Sequence, residues 1–183
     1  MHRIQQGALR GALLILACTA LVPKATSAQD ASARLAYYRA VADYFEVAPA
    51  EVSILADWDL VPDEIPVALF LARRAGISPE ALVALRGSGR GWVDLARRYG
   101  VGAAQLHVPF ARPPSSGLLA VAYEQYRSRP VGDWGQIGLT DEDIVALVNV
   151  RVLSAALDMH PDDVLQRRGA AQSFVDLYAR VIG

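Results

Sequence analysis

Four residue pairs, Pro79 and Pro161, Arg86 and Arg168, Trp92 and Phe174, Asp94 and Asp176, each lie 82 positions apart. Agreement across an imino acid, a cation, an aromatic and an acid points to a duplicated unit, and the residues within it say what the unit is. Val47-Ala48-Pro49, Ile77-Ser78-Pro79 and Met159-His160-Pro161 each set an apolar residue two places before a proline. Proline suits the first position of a helix, where its missing N–H has no intrahelical partner to lose. Acids follow within a turn, Glu51, Glu80 and Asp162 with Asp163, where they complement the positive end of the helix dipole. Gly87 and Gly169 fit the left-handed residue that closes a helix. Each unit therefore reads as a short helix, a glycine turn and a second helix.

Elsewhere the pattern is also helical. No Asn-Gly or Asp-Gly turn joins two alternating runs, so hairpin signals are missing. Residues 31–46 place Leu35, Tyr38, Val41, Ala42 and Phe45 at spacings of three and four, which makes one apolar stripe. Thr140 with Asp143 forms a variant capping box before Ile144–Leu157. That helix exceeds its counterpart, which runs from Ile65 to Ala75, by about one turn. Residues 118–127 form another helix with Leu118, Leu119, Val121, Ala122 and Tyr126, and 128–139 form a loop carrying Trp134. The expected fold is all-α, a small orthogonal bundle of about eight to nine short helices with duplicated helix-turn-helix-like units. One domain is expected over 29–183, with units at about 47–76, 77–100 and 140–183 and a Pro/Ser-rich linker at 109–117.

The first 28 residues read differently. Basic residues at Arg3 and Arg10, an uncharged apolar run from Gly11 to Val22, and Thr26-Ser27-Ala28 before Gln29 follow the order of a cleaved secretory leader. The run is shorter than the ~20 apolar residues that span a bilayer. Leu14-Ile15-Leu16-Ala17-Cys18 also resembles a lipoprotein signal, so a lipid anchor through Cys18 is the alternative to a free periplasmic or secreted chain. Residues 29–183 hold 15 Arg, no Lys or Cys, and 19 acids.

Gly91-Trp92-Val93-Asp94-Leu95-Ala96-Arg97-Arg98-Tyr99-Gly100-Val101 resembles the first helix and turn of the helix-turn-helix motif. That resemblance implies a reading helix over 102–108, where Gln105 and His107 are the side chains able to meet base edges. Pro109 ends it after about two turns. The second copy stops at Gly183, where a reading helix would begin. The motif is therefore read as a packing unit, and a cytosolic nucleic-acid binder is the alternative if the leader is retained. The repeats over 47–100 and 140–183 are also similar to a short helical unit of exported or lipid-anchored bacterial proteins of unknown function, which implies a helical fold and an envelope location.

Charge is uneven. Residues 71–112 contain seven Arg and two acids, whereas 29–70 contain two Arg and eight acids. Arg73, Arg74, Arg86, Arg90, Arg97 and Arg98 form a candidate basic surface for an envelope protein or an anionic partner. Asp57, Asp59, Asp63 and Glu64 resemble the start of a calcium loop, but Pro62 stands where such a loop turns on glycine, so they read as cap and turn acids. No Gly-x-Ser-x-Gly elbow or Gly-Lys-Ser/Thr phosphate loop occurs. His107 and His160 lack partners at metal-ligand spacing. Tyr37, Tyr38, Tyr44 and Phe45 read as core. The expectation is a non-enzymatic chain with no metal or cofactor.

Overall fold

Helix starts follow the prolines. In the computed structural model, which describes residues 25–58 and 60–183, α1 spans Ala25–Phe45 and α2 spans Pro49–Ala56. A 3-10 turn at Pro62–Glu64 leads into α3 (Ile65–Ala75), followed by α4 (Pro79–Gly87), α5 (Trp92–Arg98) and α6 (Ala103–Leu106). The second half holds α7 (Ala120–Ser128), a 3-10 turn at Val131–Gln136, α8 (Asp141–Ala156), α9 (Pro161–Arg168) and α10 (Phe174–Ile182). Among the described residues all regular structure is helical, and α8 meets α9 at a bend of 118°. The leader through Lys24, Cys18 included, lies outside the described residues, as does Asp59. Among the described residues no single helix is long and apolar enough to cross a membrane.

One joint recurs five times. Glu46, Gly76, Gly89, Gly100 and Asp158 all have positive φ, between 49° and 91°. The amide after each reaches back five residues: Val47 to Ala42 O, Ile77 to Ala72 O, Arg90 to Leu85 O, Val101 to Ala96 O and Met159 to Ser154 O. This is the long bond of the Schellman motif. In four of the five the donating residue is apolar and packs on the core. The next helix starts two residues later, so the apolar residue before each proline marks the seal of the preceding helix. Gly76 and Asp158 occupy the same place in the two copies, again 82 apart.

Two glycine assignments are corrected. Gly87 is the last residue of α4, and the left-handed residue is Gly89. Gly169 caps α9 with φ −58°. The chain there continues through ordinary turns, Ala170 N to Arg167 O and Ala171 N to Arg168 O, so no left-handed residue is required.

The duplication extends further upstream than the sequence pattern showed. Tyr37, Ala40 and Tyr44 of α1 correspond at the same offset to Leu119, Ala122 and Tyr126 around α7, and all but half-buried Tyr44 are buried. α2 corresponds to the 3-10 turn at 131–136. The loop expected over 128–139 therefore contains helical structure.

α3 and α8 form the centre. Ile65–Ala72 is buried without a break, and Ile144, Ala146–Val150, Val152 and Leu153 bury the matching length of α8. α8 has 16 residues against 11 in α3, somewhat more than the one extra turn expected. α1 packs across α8 and α10, and the buried side chains of both halves join in one cluster. Leu35 does not belong to it. The residue is 52% exposed, because the N-terminal half of α1 runs past the core, and fully buried Tyr37 is the inward residue there. Val121 likewise faces outward. The expected reading helix shrinks to the four residues of α6, because His107 already has extended φ/ψ. Residues 109–117 carry no helix, yet they are tied down: the amides of Ala111 and Arg112 donate to the Asp162 carboxylate at 3.0 and 2.7 Å.

Candidate functional site

The two halves complete each other's helix ends. Asp63, at the entry to α3, accepts from the Phe174 and Val175 amides at the start of α10, at 2.9 and 3.2 Å. Asp141, the first residue of α8, accepts from the Val93 amide at the start of α5 at 2.8 Å. Val93 and Val175 are equivalent positions, so each half's last long-unit helix is capped by an acid of the other half. A Cβ on Gly91 would lie 3.1 Å from both Asp141 oxygens, so glycine is what admits that carboxylate. Two cations repeat the correspondence. Arg86 lies over the Trp92 ring at 5.4 Å and Arg168 over the Phe174 ring at 5.1 Å.

Beneath these caps is a buried polar chain. Tyr37 donates its hydroxyl to Asn149 Oδ1, and Asn149 Nδ2 donates to the Asp63 and Val145 carbonyls at 2.7 and 2.8 Å. Asn149 is fully buried and Asp63 nearly so. Burial holds the Asp63 carboxyl above the usual carboxylate range, outweighing its two amide donors and the Arg168 charge. Burial also pushes the Tyr37 phenol well up. Inside the bundle Asp63 satisfies the start of α10, while Tyr37 and Asn149 satisfy each other and two backbone carbonyls.

Five of the six arginines expected to form a basic surface lie in the last turns of α3, α4 and α5, and Arg86 donates to the Arg90 carbonyl at 3.1 Å. Arg73 and Arg74 end α3, where they stack over Phe45 and Phe70, and Arg73 also donates to the Phe45 carbonyl. Arg86 belongs to the opposite end of α3. It pairs with Glu64 at 2.6 Å and lies 3.7 Å from Asp141, while Glu64 also accepts from Trp92 Nε1. The length of α3 puts these two groups about 15 Å apart. Arg90 is exposed in the α4–α5 joint, Arg97 pairs loosely with Asp94 at 3.5 Å, and Arg98 stacks on Tyr99. Arg73, Arg74, Arg86, Arg97 and Arg98 all sit in last turns, where cations oppose the helix dipole. The basic stretch is thus largely a succession of helix C-termini.

Among the calcium-like acids, Asp63 caps α10 and Glu64 serves Arg86 and Trp92, while Asp57 is exposed. No group of three or more metal-binding side chains occurs among the described residues. His160 caps α9 through Nδ1, and its imidazole lies 2.6 Å from Asp162. His107 stacks against Trp134 and Tyr126, with centroids at 4.4 and 4.8 Å. Burial, then the nearby Arg151 charge, lowers its pKa. Arg151 in turn closes the end of α6 by donating to the carbonyls of Gln105, Leu106 and His107.

Two surface features remain. An open cleft of about 610 Å³ lies between the 110–118 segment and α9, lined by charges of both signs, Arg112 and Arg168 with Glu142 and Asp162. The second feature escaped the sequence reading. Ile54, Trp58 and Val61 are 50%, 48% and 60% exposed, so three large apolar side chains lie within eight residues on the outer side of α2 and its following turn. The signal was present: Val52 and Leu55 supply the inward face of α2, which leaves Ile54 outward, and Trp58 is exposed in the turn two residues past the helix end. No family model, curated protein or solved structure matches the chain.

Proposed function

We propose that this is an exported, non-enzymatic helical protein that acts by offering a surface to a protein partner in the cell envelope, with the outer side of α2 as that surface. The observation that carries the reading is the half-exposed Trp58 flanked by Ile54 and Val61. Clustered exposed apolar groups are costly to keep on a soluble surface and mark interaction sites, and tryptophan is the residue type most enriched among binding hot spots. Export rests on the leader-like pattern of residues 1–28. The non-enzymatic reading is supported by what two of the shifted groups do: the Asp63 carboxylate is taken up by the first amides of α10, and the Tyr37 phenol by buried Asn149.

The test has two parts. The mass of the native N-terminus should identify Gln29 as the first residue, or a lipidated Cys18, and a chain beginning at Met1 would overturn export. A photo-crosslinking side chain at position 58, introduced in the producing cells, should give one adduct of defined mass. The same group at Val121, exposed on α7, should give none. Equal labelling from both positions, or none from position 58, would overturn the interaction surface.

A further inference from the structure

The charge around the α2 face specifies the chemistry of its occupant. Between Arg39 and Arg73 the chain has seven acids and no Lys or Arg. Asp63 and Glu64 are consumed internally by the α10 amides and by Arg86 with Trp92. Glu46, Glu51 and Asp57 are exposed; Glu51 stands three residues before Ile54 in α2, and Asp57 adjoins Trp58 just past its end. The cations nearest in sequence are Arg34, Arg39 and Arg73, of which Arg39 is exposed on α1. Arg73 donates to the Phe45 carbonyl and stacks on that ring, while Arg34 lies on the α1 side of Val61, lining the groove toward α10.

We infer that the occupant of this face is a basic amphipathic helix of the partner, its apolar residues covering Ile54, Trp58 and Val61 and its Lys or Arg meeting Glu46, Glu51 and Asp57. The inference rests on the interaction reading above and adds the partner's chemistry. Helix-in-groove recognition anchors through apolar residues about one turn apart, which is the spacing that Ile54 and Trp58 present. The eight residues of α2 give a platform about 12 Å long, enough to meet two to three turns of a partner helix. Cations gain twice here, from the acidic rim and from the face of the Trp58 indole. An acidic segment, a nucleic acid or an anionic lipid surface would place like charges together over a desolvated patch.

Titrating the full purified chain with a designed Leu/Lys helical peptide of about four turns tests this. Tryptophan emission reports it: Trp58 is half-exposed, Trp92 is fully buried and Trp134 is partly buried, and Trp58→Phe supplies the blank that subtracts the other two. The Leu/Lys peptide should saturate the Trp58 signal, bind more weakly as salt is raised, and lose about tenfold or more in affinity in Glu51→Arg/Asp57→Arg. Ile54→Ser should weaken it comparably without changing the salt response. A Leu/Glu peptide of the same apolar spacing should not bind. Equal binding of the two peptides, or affinity unchanged by the charge reversal, would overturn the inference, as would a chain whose α2 face is already occupied by a second copy in solution. A defined adduct from position 58 together with no Leu/Lys binding would remove the basic-helix inference and leave the interaction surface standing. Failure of both would remove both.

Discussion

Asp63→Ala should be among the most damaging single substitutions of a charged residue in this chain. It deletes the acceptor of two amides, Phe174 N at 2.9 Å and Val175 N at 3.2 Å, the first of them in a buried bond that water cannot replace. Ser173, the N-cap of α10, keeps its bond to the Asp176 amide, so the cost is that of the buried donor left unpaired, about 1–3 kcal/mol. Part of this is returned, because the carboxylate no longer has to be desolvated. A net loss of about 2 kcal/mol follows, which lowers Tm by roughly 4–8 °C in a chain of this size. Asp63→Asn keeps one acceptor oxygen and sheds the buried charge, so it should cost less than half as much. Asp141→Ala, the counterpart at a cap with 38% side-chain exposure, should lose about 1 kcal/mol, since water replaces part of the bond. Urea denaturation followed by far-UV circular dichroism reads all three. Asp63→Ala within about 0.5 kcal/mol of wild type, or equal losses for Asp63→Ala and Asp63→Asn, would refute the reasoning.

Asp63 also sets a pH dependence. Its folded pKa is raised, so its contribution is complete below the unfolded value of about 3.9 and fades as pH rises through the folded one. The stability gap between wild type and Asp63→Asn should therefore move in the variant's favour from about pH 4 to pH 7. Asp176 has the opposite sign, because the Arg180 hydrogen bond lowers its pKa, so its contribution is present above the unfolded value of about 3.9 and is lost as pH falls below it, and the disadvantage of Asp176→Asn should shrink on acidification below about pH 4. Tyr37→Phe should cost about 1–3 kcal/mol by leaving the fully buried Asn149 amide oxygen without its phenolic donor, measurable in the same denaturation series. Gly76→Ala should cost about 1 kcal/mol although nothing lies within 4 Å of the added methyl, since the penalty is purely that of φ +67°. Asp158→Gly at the equivalent position should stabilise by up to about 1 kcal/mol.

The helical class and most helix starts were legible because proline and capping residues act locally. Pro49, Pro79 and Pro161 open their helices, and Thr140 and Asp143 cap each other as their spacing implies. The glycine closers were less legible, because a left-handed residue can sit one or two places past the last apolar position, and Gly87 and Gly89 are both available there. Exposure of Leu35 depends on where the other helices stop, which periodicity within α1 does not encode. The arginine group looked like a surface in sequence because 71–112 strings together three helix C-termini. Arg86 lies at the Glu64 end of α3, away from Arg73 and Arg74. The crossed caps were illegible altogether: Asp63 and Phe174 are 111 residues apart, and each has a plausible local role.

Those crossed caps make the halves interdependent for folding. A polypeptide cut within 109–117 would yield two fragments, each with one helix start that only the other fragment's acid can finish. Such fragments should stay largely unfolded apart and recover helicity when mixed. Joining the halves in one chain makes their encounter independent of concentration.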